Sequence, residues 1–184
     1  MQKASGKSRG FFSIIAMSDE QNINHFRYMV IPRVLVFVTR GEEILLLKIA
    51  PRHGKVTRWT GRYNGLGGHI ERGEDALTAA QRELLEEAGV TANLRWCGVL
   101  MVDTGENVGI ELHVFAGEYL SGELLSTLEG VPEWIPVEKL PDTPLVDDGP
   151  ALIGKVLSMQ PGASPFCGRS FYENGQLKVV IRDL

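Results

Sequence analysis

One stretch of the chain, Gly68 to Val90 (GHIERGEDALTAAQRELLEEAGV), constrains the fold more than any other. From Asp75 to Ala88 its apolar residues have the spacing of an amphipathic helix. Gly89 follows at the position where a left-handed helix cap favours glycine. We therefore predict a helix with one buried stripe, formed by Leu77, Ala80, Leu84, Leu85 and Ala88.

The same helix carries three carboxylates, Glu83, Glu86 and Glu87, on one arc about 100° wide. Arg82 is the only cation near them in the sequence. Two interpretations stay open from the spacing alone. The arc is either a solvated face rich in glutamate, or an oxygen-ligand site that suits Mg²⁺ or Mn²⁺. The second explains why Glu83 faces Glu87 at i+4, a repulsive pairing without a cation.

Around this helix the hydrophobic pattern predicts short strands. Asn174-Gly175 is a typical hairpin turn, and Gly149-Pro150 should break or restart any helix that contains it. Strands with a few interspersed helices predict one domain of the α/β (α+β) class. The expected strands are 34–38, 44–49, 99–102, 110–115 and 134–137, followed by a helix in 145–159 and a hairpin over 170–181.

Size and charge restrict the function further. The 184 residues suit one domain, expected at 28–184, after a flexible extension at 1–27. The net charge of −4 argues against binding a nucleic acid polymer, and no apolar run is long enough for a membrane span. Cys97 and Cys167 form no CxxC pair, so we expect both to be packing or surface thiols in a cytoplasmic protein. We expect this protein to be a monomer or a homodimer.

The spacing of Gly68, Glu74 and Arg82-Glu83-Leu84-Leu85-Glu86-Glu87-Ala88-Gly89-Val90 matches the Nudix box, GX5EX7REUXEEXGU, at every defined position. The chain therefore resembles the Nudix family. The resemblance implies an α/β/α sandwich with a mixed β-sheet and the Nudix loop and helix. It also implies hydrolysis of nucleoside diphosphates linked to another group, with Mg²⁺ or Mn²⁺ neutralising the phosphoanhydride and positioning water.

By this resemblance, Glu83, Glu86 and Glu87 would be metal ligands and catalytic groups, and the carbonyl of Gly68 would complete the metal shell. Glu74 and Arg82 would form a structural ion pair that orients the helix. Family members often recruit one more glutamate from a distant loop. Glu129 stands where that residue is usually found, and its alternative is an ordinary loop glutamate.

Other residues resemble one branch of the family, the oxidised-purine triphosphatases. The run Gly61 to Gly68 (GRYNGLGG) is similar to the corresponding run there, and Asn64 is expected to read the base. Asp147-Asp148 stands where that branch has an aspartate pair, which would accept from the N1–H and N2 amine of guanine. The alternative for these aspartates is a helix cap.

The chain departs from that branch at Leu145-Val146, where a tryptophan stacks on the base. Trp59 or Tyr63 would have to take over the stacking, unless both are core or loop aromatics. We also expect Lys48 and Trp59 to contact the substrate.

These residues predict a Mg²⁺-dependent pyrophosphohydrolase of nucleoside triphosphates such as 8-oxo-dGTP, which would clean the nucleotide pool. The alternatives are ADP-ribose, a dinucleotide or a pterin triphosphate as substrate. A module that only binds a nucleotide or a protein, without catalysis, is the rival from a different class.

Overall fold

The computed structural model describes residues 27–184, so the extension expected at 1–27 lies outside the described residues except for Arg27. Eight strands, two α-helices and one 3₁₀ helix follow in the described part. In chain order they are β1 (Met29–Arg40), β2 (Glu43–Ile49), β3 (Tyr63–Asn64), α1 (Ala76–Ala88), β4 (Val90–Val102), β5 (Val108–Gly122), β6 (Gly130–Pro136), the 3₁₀ helix (Val137–Asp142), α2 (Gly149–Ser158), β7 (Phe166–Glu173) and β8 (Gln176–Asp183).

The strands form one mixed sheet in the order β3-β2-β1-β5-β4-β7-β8, with β6 paired to β2. The β1–β5 and β4–β7 pairs are parallel, and the other pairs are antiparallel. The closing hairpin turns at Asn174 and Gly175, both with positive φ, as two-residue hairpin turns require. This mixed sheet with few helices confirms the predicted fold class.

The two helices cover opposite faces of the sheet. Along β1, Val34, Val36 and Val38 point into the core beneath α1. Leu35 and Phe37 alternate with them and point into the core beneath α2. Burial on both faces explains why the central strand is apolar at every position from 34 to 38. No helix in residues 27–184 is both long enough and apolar enough to cross a membrane.

The helix predicted from Asp75 forms as α1, with Asp75 as N-cap and Gly89 as a left-handed C-cap. The predicted buried stripe is wrong at its centre and at one flank, because Leu77 is 43% exposed and Leu85 is 55% exposed. The buried side chains are Ala79, Ala80, Leu84, Glu87 and Ala88. The helix is thus rotated by roughly 60° from the apolar expectation. This rotation turns Glu87 toward the protein.

Helix α2 starts later than the sequence predicted. The helix expected in 145–159 begins only at Gly149, because Pro150 occupies its first turn and lacks the N–H that a continuing helix needs. Residues 144–146 instead run alongside β3, where Leu145 pairs with Tyr63 in a parallel bridge. The chain segments leading to Asn64 and to Asp147 therefore run side by side in the same direction.

Candidate active site

The glycine-rich segment before α1 runs along the first half of β1. The N–H of Val34 donates to the carbonyl of Gly68 at 2.9 Å, and the N–H of Val36 donates to the carbonyl of Leu66 at 2.7 Å. Gly67 has φ of +142°, and a Cβ there would collide with the carbonyl of Val34. A Cβ at Gly68 would collide with the carboxylate of Glu83. Both glycines therefore allow the helix carboxylates to lie directly against this backbone.

Glu87 is the most deeply buried carboxylate of the site, with 4% of its surface exposed. Its Oε2 accepts from the N–H of Gly67 at 2.6 Å. Burial, opposed by that hydrogen bond and reinforced by the charges of Glu129 and Glu83, raises the pKa of Glu87 to about 8. Burial also raises the pKa of Glu83. The site thus crowds carboxylates that need a cation to be ionised together.

The pKa of Glu87 makes the stability of the metal-free protein depend on pH. The ordinary pKa of a glutamate is 4.5, and that of Glu87 in the folded chain is about 8. Between these two pH values, the folded chain binds a proton at Glu87 that the unfolded chain has released. The free energy of unfolding should therefore fall as pH rises through this window, by about 1.4 kcal/mol per unit from this group.

Urea unfolding between pH 5 and 8 in a chelator, compared with Glu87→Gln, checks this dependence. The variant should lose that part of the slope and be the more stable protein at pH 8. Parallel profiles for the two proteins would contradict the shift assigned to Glu87.

Arg82 ties the helix to the loop before it. Its Nε and Nη2 donate to the two oxygens of Glu74 at 2.7 and 3.0 Å, so the ion pair is bidentate. Nη2 also donates to the carbonyl of His69 at 3.0 Å. Nη1 donates to Glu83 at 2.9 Å and to Glu86 at 3.0 Å. One guanidinium therefore fixes both the loop and the orientation of two carboxylates.

Replacing Arg82 should accordingly destabilise the protein even when its charge is kept. A lysine ammonium lacks the planar fork that serves five acceptor atoms, so Arg82→Lys should lower Tm nearly as much as Arg82→Ala. Thermal unfolding checks this, with Arg72→Ala, an exposed arginine of the same loop, as the matched control. A wild-type Tm for Arg82→Lys would show that charge alone accounts for its role.

The donor set suits a hard divalent cation. Glu83 and Glu86 each keep one carboxylate oxygen that makes no hydrogen bond to residues 27–184, whereas the carboxyl of Glu87 also lies within hydrogen-bond reach of Glu129. The carbonyl of Gly68 accepts one hydrogen bond, which leaves a second lone pair. In the described part of the chain, no three carboxylate, imidazole or thiol side chains lie close enough together to bind a metal ion without moving. Binding would require Glu83 and Glu86 to turn from Arg82 toward Glu87.

Glu129 comes from the loop before β6 and lies at this same site, because its charge raises the pKa of both Glu87 and Glu83. The carbonyl of Glu129 accepts from the N–H of Ala50 at 2.8 Å, which anchors its loop to the end of β2. The structure thus brings the distant glutamate next to the helix carboxylates.

The two aspartates before α2 have different environments. Asp147 is exposed, and its oxygens accept from Arg62 Nη1 at 2.9 Å and from the Tyr172 hydroxyl at 3.2 Å. Asp148 stands at the N-cap of α2, but its side chain makes no capping hydrogen bond. Burial, with a smaller contribution from Asp147, raises the pKa of Asp148. Asp148 is therefore the aspartate whose carboxyl is available to a ligand.

Asn64 follows Tyr63, whose backbone is bridged to Leu145 two residues before Asp147. Its Oδ1 accepts from the N–H of Gly65 at 2.9 Å, which leaves the amide NH₂ to donate elsewhere.

The aromatic residues divide into core and surface. Tyr63 is buried and donates its hydroxyl to Glu133 at 2.8 Å, so it is a core aromatic and not a stacking platform. Trp59 is half-buried, with the guanidinium of Arg58 at 4.0 Å from its ring centre. Lys48 is exposed, and its ammonium lies 5.6 Å from the ring centre of Tyr63.

Sequence reasoning missed two cations at the carboxylate site. Arg82 is not the only one, because the charges of Glu83 and Glu129 act on Arg33, as does that of Arg52. Arg33 lies on β1 opposite His69, the residue after Gly68. Arg33 reaches this site through the pairing of β1 with the glycine-rich segment. The hydrophobic pattern of the sequence did not predict that pairing.

Comparisons with known proteins identify the family of this chain and several of its relatives. A family model described as NUDIX domain matches residues 29–154. An oxidized purine nucleoside triphosphate hydrolase of Danio rerio is 36% identical over 83 residues, 44% of this chain and 53% of that protein. An NAD-capped RNA hydrolase NudC of Pseudomonas syringae pv. syringae (strain B728a) is 36% identical over 116 residues, 61% of this chain and 38% of that protein. The match spans less than two thirds of either relative's length.

Solved structures share the fold. The Mutator MutT protein from Bacillus halodurans has a TM-score of 0.68 at 23% identity, over 82% of this chain and 97% of that chain. The NUDIX domain of Shewanella oneidensis NrtR, complexed with ADP ribose, has a TM-score of 0.59 at 14% identity, over 80% of this chain and 97% of that chain. The predicted sandwich with a mixed sheet is therefore confirmed.

Proposed function

Because this chain belongs to the NUDIX family, we propose that it is a pyrophosphohydrolase of nucleoside triphosphates carrying an oxidised purine such as 8-oxo-dGTP. The observation that carries the proposal is the packing of Glu83 and Glu87, joined by Glu129, against the Gly67-Gly68 backbone. Crowded carboxylates with raised pKa values are typical of functional sites. The Danio rerio relative's name supports the oxidised-purine substrate.

In this proposal, Glu83, Glu86, Glu87 and the Gly68 carbonyl would hold Mg²⁺ or Mn²⁺. Such a cation supplies neutralisation of the phosphate charge and acidification of a bound water. Water adds to a phosphorus of the α–β bridge, and the bond from that phosphorus to the bridging oxygen breaks. The products are the nucleoside monophosphate and pyrophosphate, and the proton released by water passes to a glutamate of the site.

Glu87 is suited to accept that proton, because burial raises the affinity of its carboxylate for a proton, while a bound cation would keep it ionised before water reacts. Without the cation, Arg82 holds one carboxylate oxygen each of Glu83 and Glu86. Asp148 and Asn64 would bind the purine at the other end of the glycine-rich segment, with the half-buried Asp148 carboxyl accepting from N1–H and the N2 amine.

A dinucleotide is the second candidate, favoured by the match to the NudC relative over 116 residues. The products separate the candidates. Incubation of the protein with Mg²⁺ and 8-oxo-dGTP should release one pyrophosphate per monophosphate, and a chelator should stop the reaction. Cleavage of NADH to two monophosphates, with intact 8-oxo-dGTP, would favour the dinucleotide. Chromatography of both reactions makes the measurement.

A further inference from the structure

Two guanidiniums, those of Arg33 and Arg52, lie beside the carboxylates together with the neutral imidazole of His69, and we call these three groups the cationic cluster. Arg33 Nη2 lies 3.2 Å from His69 Nε2, and a guanidinium can only donate, so the imidazole nitrogen accepts. The Nε of Arg33 is buried and has no hydrogen-bond partner among residues 27–184. A buried guanidinium N–H without an acceptor is costly, and a ligand that accepts from it would remove the cost.

Neither Arg33 nor Arg52 forms a direct salt bridge in the described part of the chain, although the charges of Glu83 and Glu129 act on Arg33 from a greater distance. Burial and the positive charge of Arg52 both lower the pKa of Arg33, so the two guanidiniums lie close enough to repel each other. Arg82 differs sharply, since it contacts three carboxylates. Two neighbouring guanidiniums without a direct ion-pair partner can bind an anion from outside.

The position of the cluster says which anion. Arg33 directly precedes Val34, whose N–H donates to the Gly68 carbonyl. Arg52 follows Ala50 by two residues, and Ala50 N–H donates to the carbonyl of Glu129. The cluster therefore borders the carboxylate site on the side of His69. Asn64 lies at the other end of the same glycine-rich segment.

A nucleotide with its base near Asn64 and Asp148 would extend its phosphates past the carboxylates toward the cluster. We propose that Arg33, Arg52 and His69 bind the terminal phosphate of a nucleoside triphosphate and thereby select triphosphates over dinucleotides and ADP-ribose. The inference rests on the proposed pyrophosphohydrolase function. Guanidinium groups suit phosphate because their N–H donors match its oxygens in pairs. A dinucleotide has a second nucleoside where a triphosphate has this terminal phosphate.

Binding of inorganic pyrophosphate tests the cluster without requiring turnover. Titration calorimetry with pyrophosphate and Mg²⁺ should give a Kd about tenfold higher for Arg33→Gln and for Arg52→Gln than for wild type. Arg182→Gln, an exposed arginine on β8 at the far edge of the sheet, is the matched control and should keep the wild-type Kd. Arg52 is exposed, so its variant should fold and decides the matter if Arg33→Gln does not.

Kinetics of Arg52→Gln supply the specificity readout. KM for a nucleoside triphosphate should rise about tenfold, while KM for NADH should stay within about twofold of wild type. An unchanged pyrophosphate Kd in both variants, or an equal rise of KM for both substrates, would overturn the inference. A further outcome is that the wild type binds pyrophosphate without hydrolysing any nucleotide, while both variants bind pyrophosphate more weakly. In that case the proposed function fails and the anion site stands.

Discussion

Glu87→Gln should lower the turnover of a nucleoside triphosphate by roughly 10²–10⁴-fold while the protein still folds. The amide keeps the shape of the side chain but removes the negative charge and the group that takes the proton. It retains an oxygen that accepts from the N–H of Gly67, so the contact that positions α1 survives. In the metal-free protein it should even stabilise the fold at pH 8, since the charge that burial opposes is gone.

Steady-state kinetics with saturating Mg²⁺ measure the loss, and circular dichroism checks the fold. Glu106→Gln, in the exposed turn between β4 and β5, is the matched control and should leave turnover unchanged. Turnover within about threefold of wild type for Glu87→Gln would remove Glu87 from the chemistry.

Asp148→Asn should lower kcat/KM for 8-oxo-dGTP roughly 30–1,000-fold, which corresponds to a loss of about 2–4 kcal/mol of transition-state stabilisation. The carboxyl accepts from two neighbouring N–H groups of the purine, whereas the amide must direct an NH₂ group at one of them. Asp148 is suited to this role because its side chain is half-buried and makes no capping hydrogen bond to α2. A pyrimidine triphosphate lacks the guanine edge, so its hydrolysis should change little.

Asp147→Asn is the comparison that the structure offers. Both oxygens of Asp147 already accept from Arg62 and Tyr172, so its replacement should affect purine and pyrimidine substrates alike. Equal losses across all substrates with a lower Tm for Asp148→Asn would contradict base recognition and favour a structural role at the helix start.

The sequence predicted α1 and its C-cap well, because the box residues and Gly89 are local signals. Its rotation was not predicted, since a helical wheel places apolar residues inward and Glu87 outward. In the structure Leu77 and Leu85 are exposed, and Glu87 lies inside. A buried carboxylate is costly in a simple fold, so the ordinary hydrophobic pattern is wrong where a site is built.

Asp147 and Asp148 show a second limit. They are the same residue type at adjacent positions, yet Asp147 pairs with Arg62, whereas Asp148 is half-buried and makes no capping hydrogen bond. The difference depends on Arg62 and Tyr172, which lie far away in the sequence and meet Asp147 only in the folded chain. The cationic cluster has the same origin, because Arg33 reaches His69 through the pairing of β1 with the glycine-rich segment.

The most direct measurement of the central proposal is a competition in one reaction. Equal concentrations of 8-oxo-dGTP, dGTP and NADH are incubated with the protein and Mg²⁺, and the consumption of each is followed by chromatography. We expect 8-oxo-dGTP to disappear first, with one pyrophosphate formed per monophosphate and none in a parallel reaction with Glu87→Gln. Faster consumption of NADH, or loss of 8-oxo-dGTP at the same rate in wild type and Glu87→Gln, would contradict the proposal.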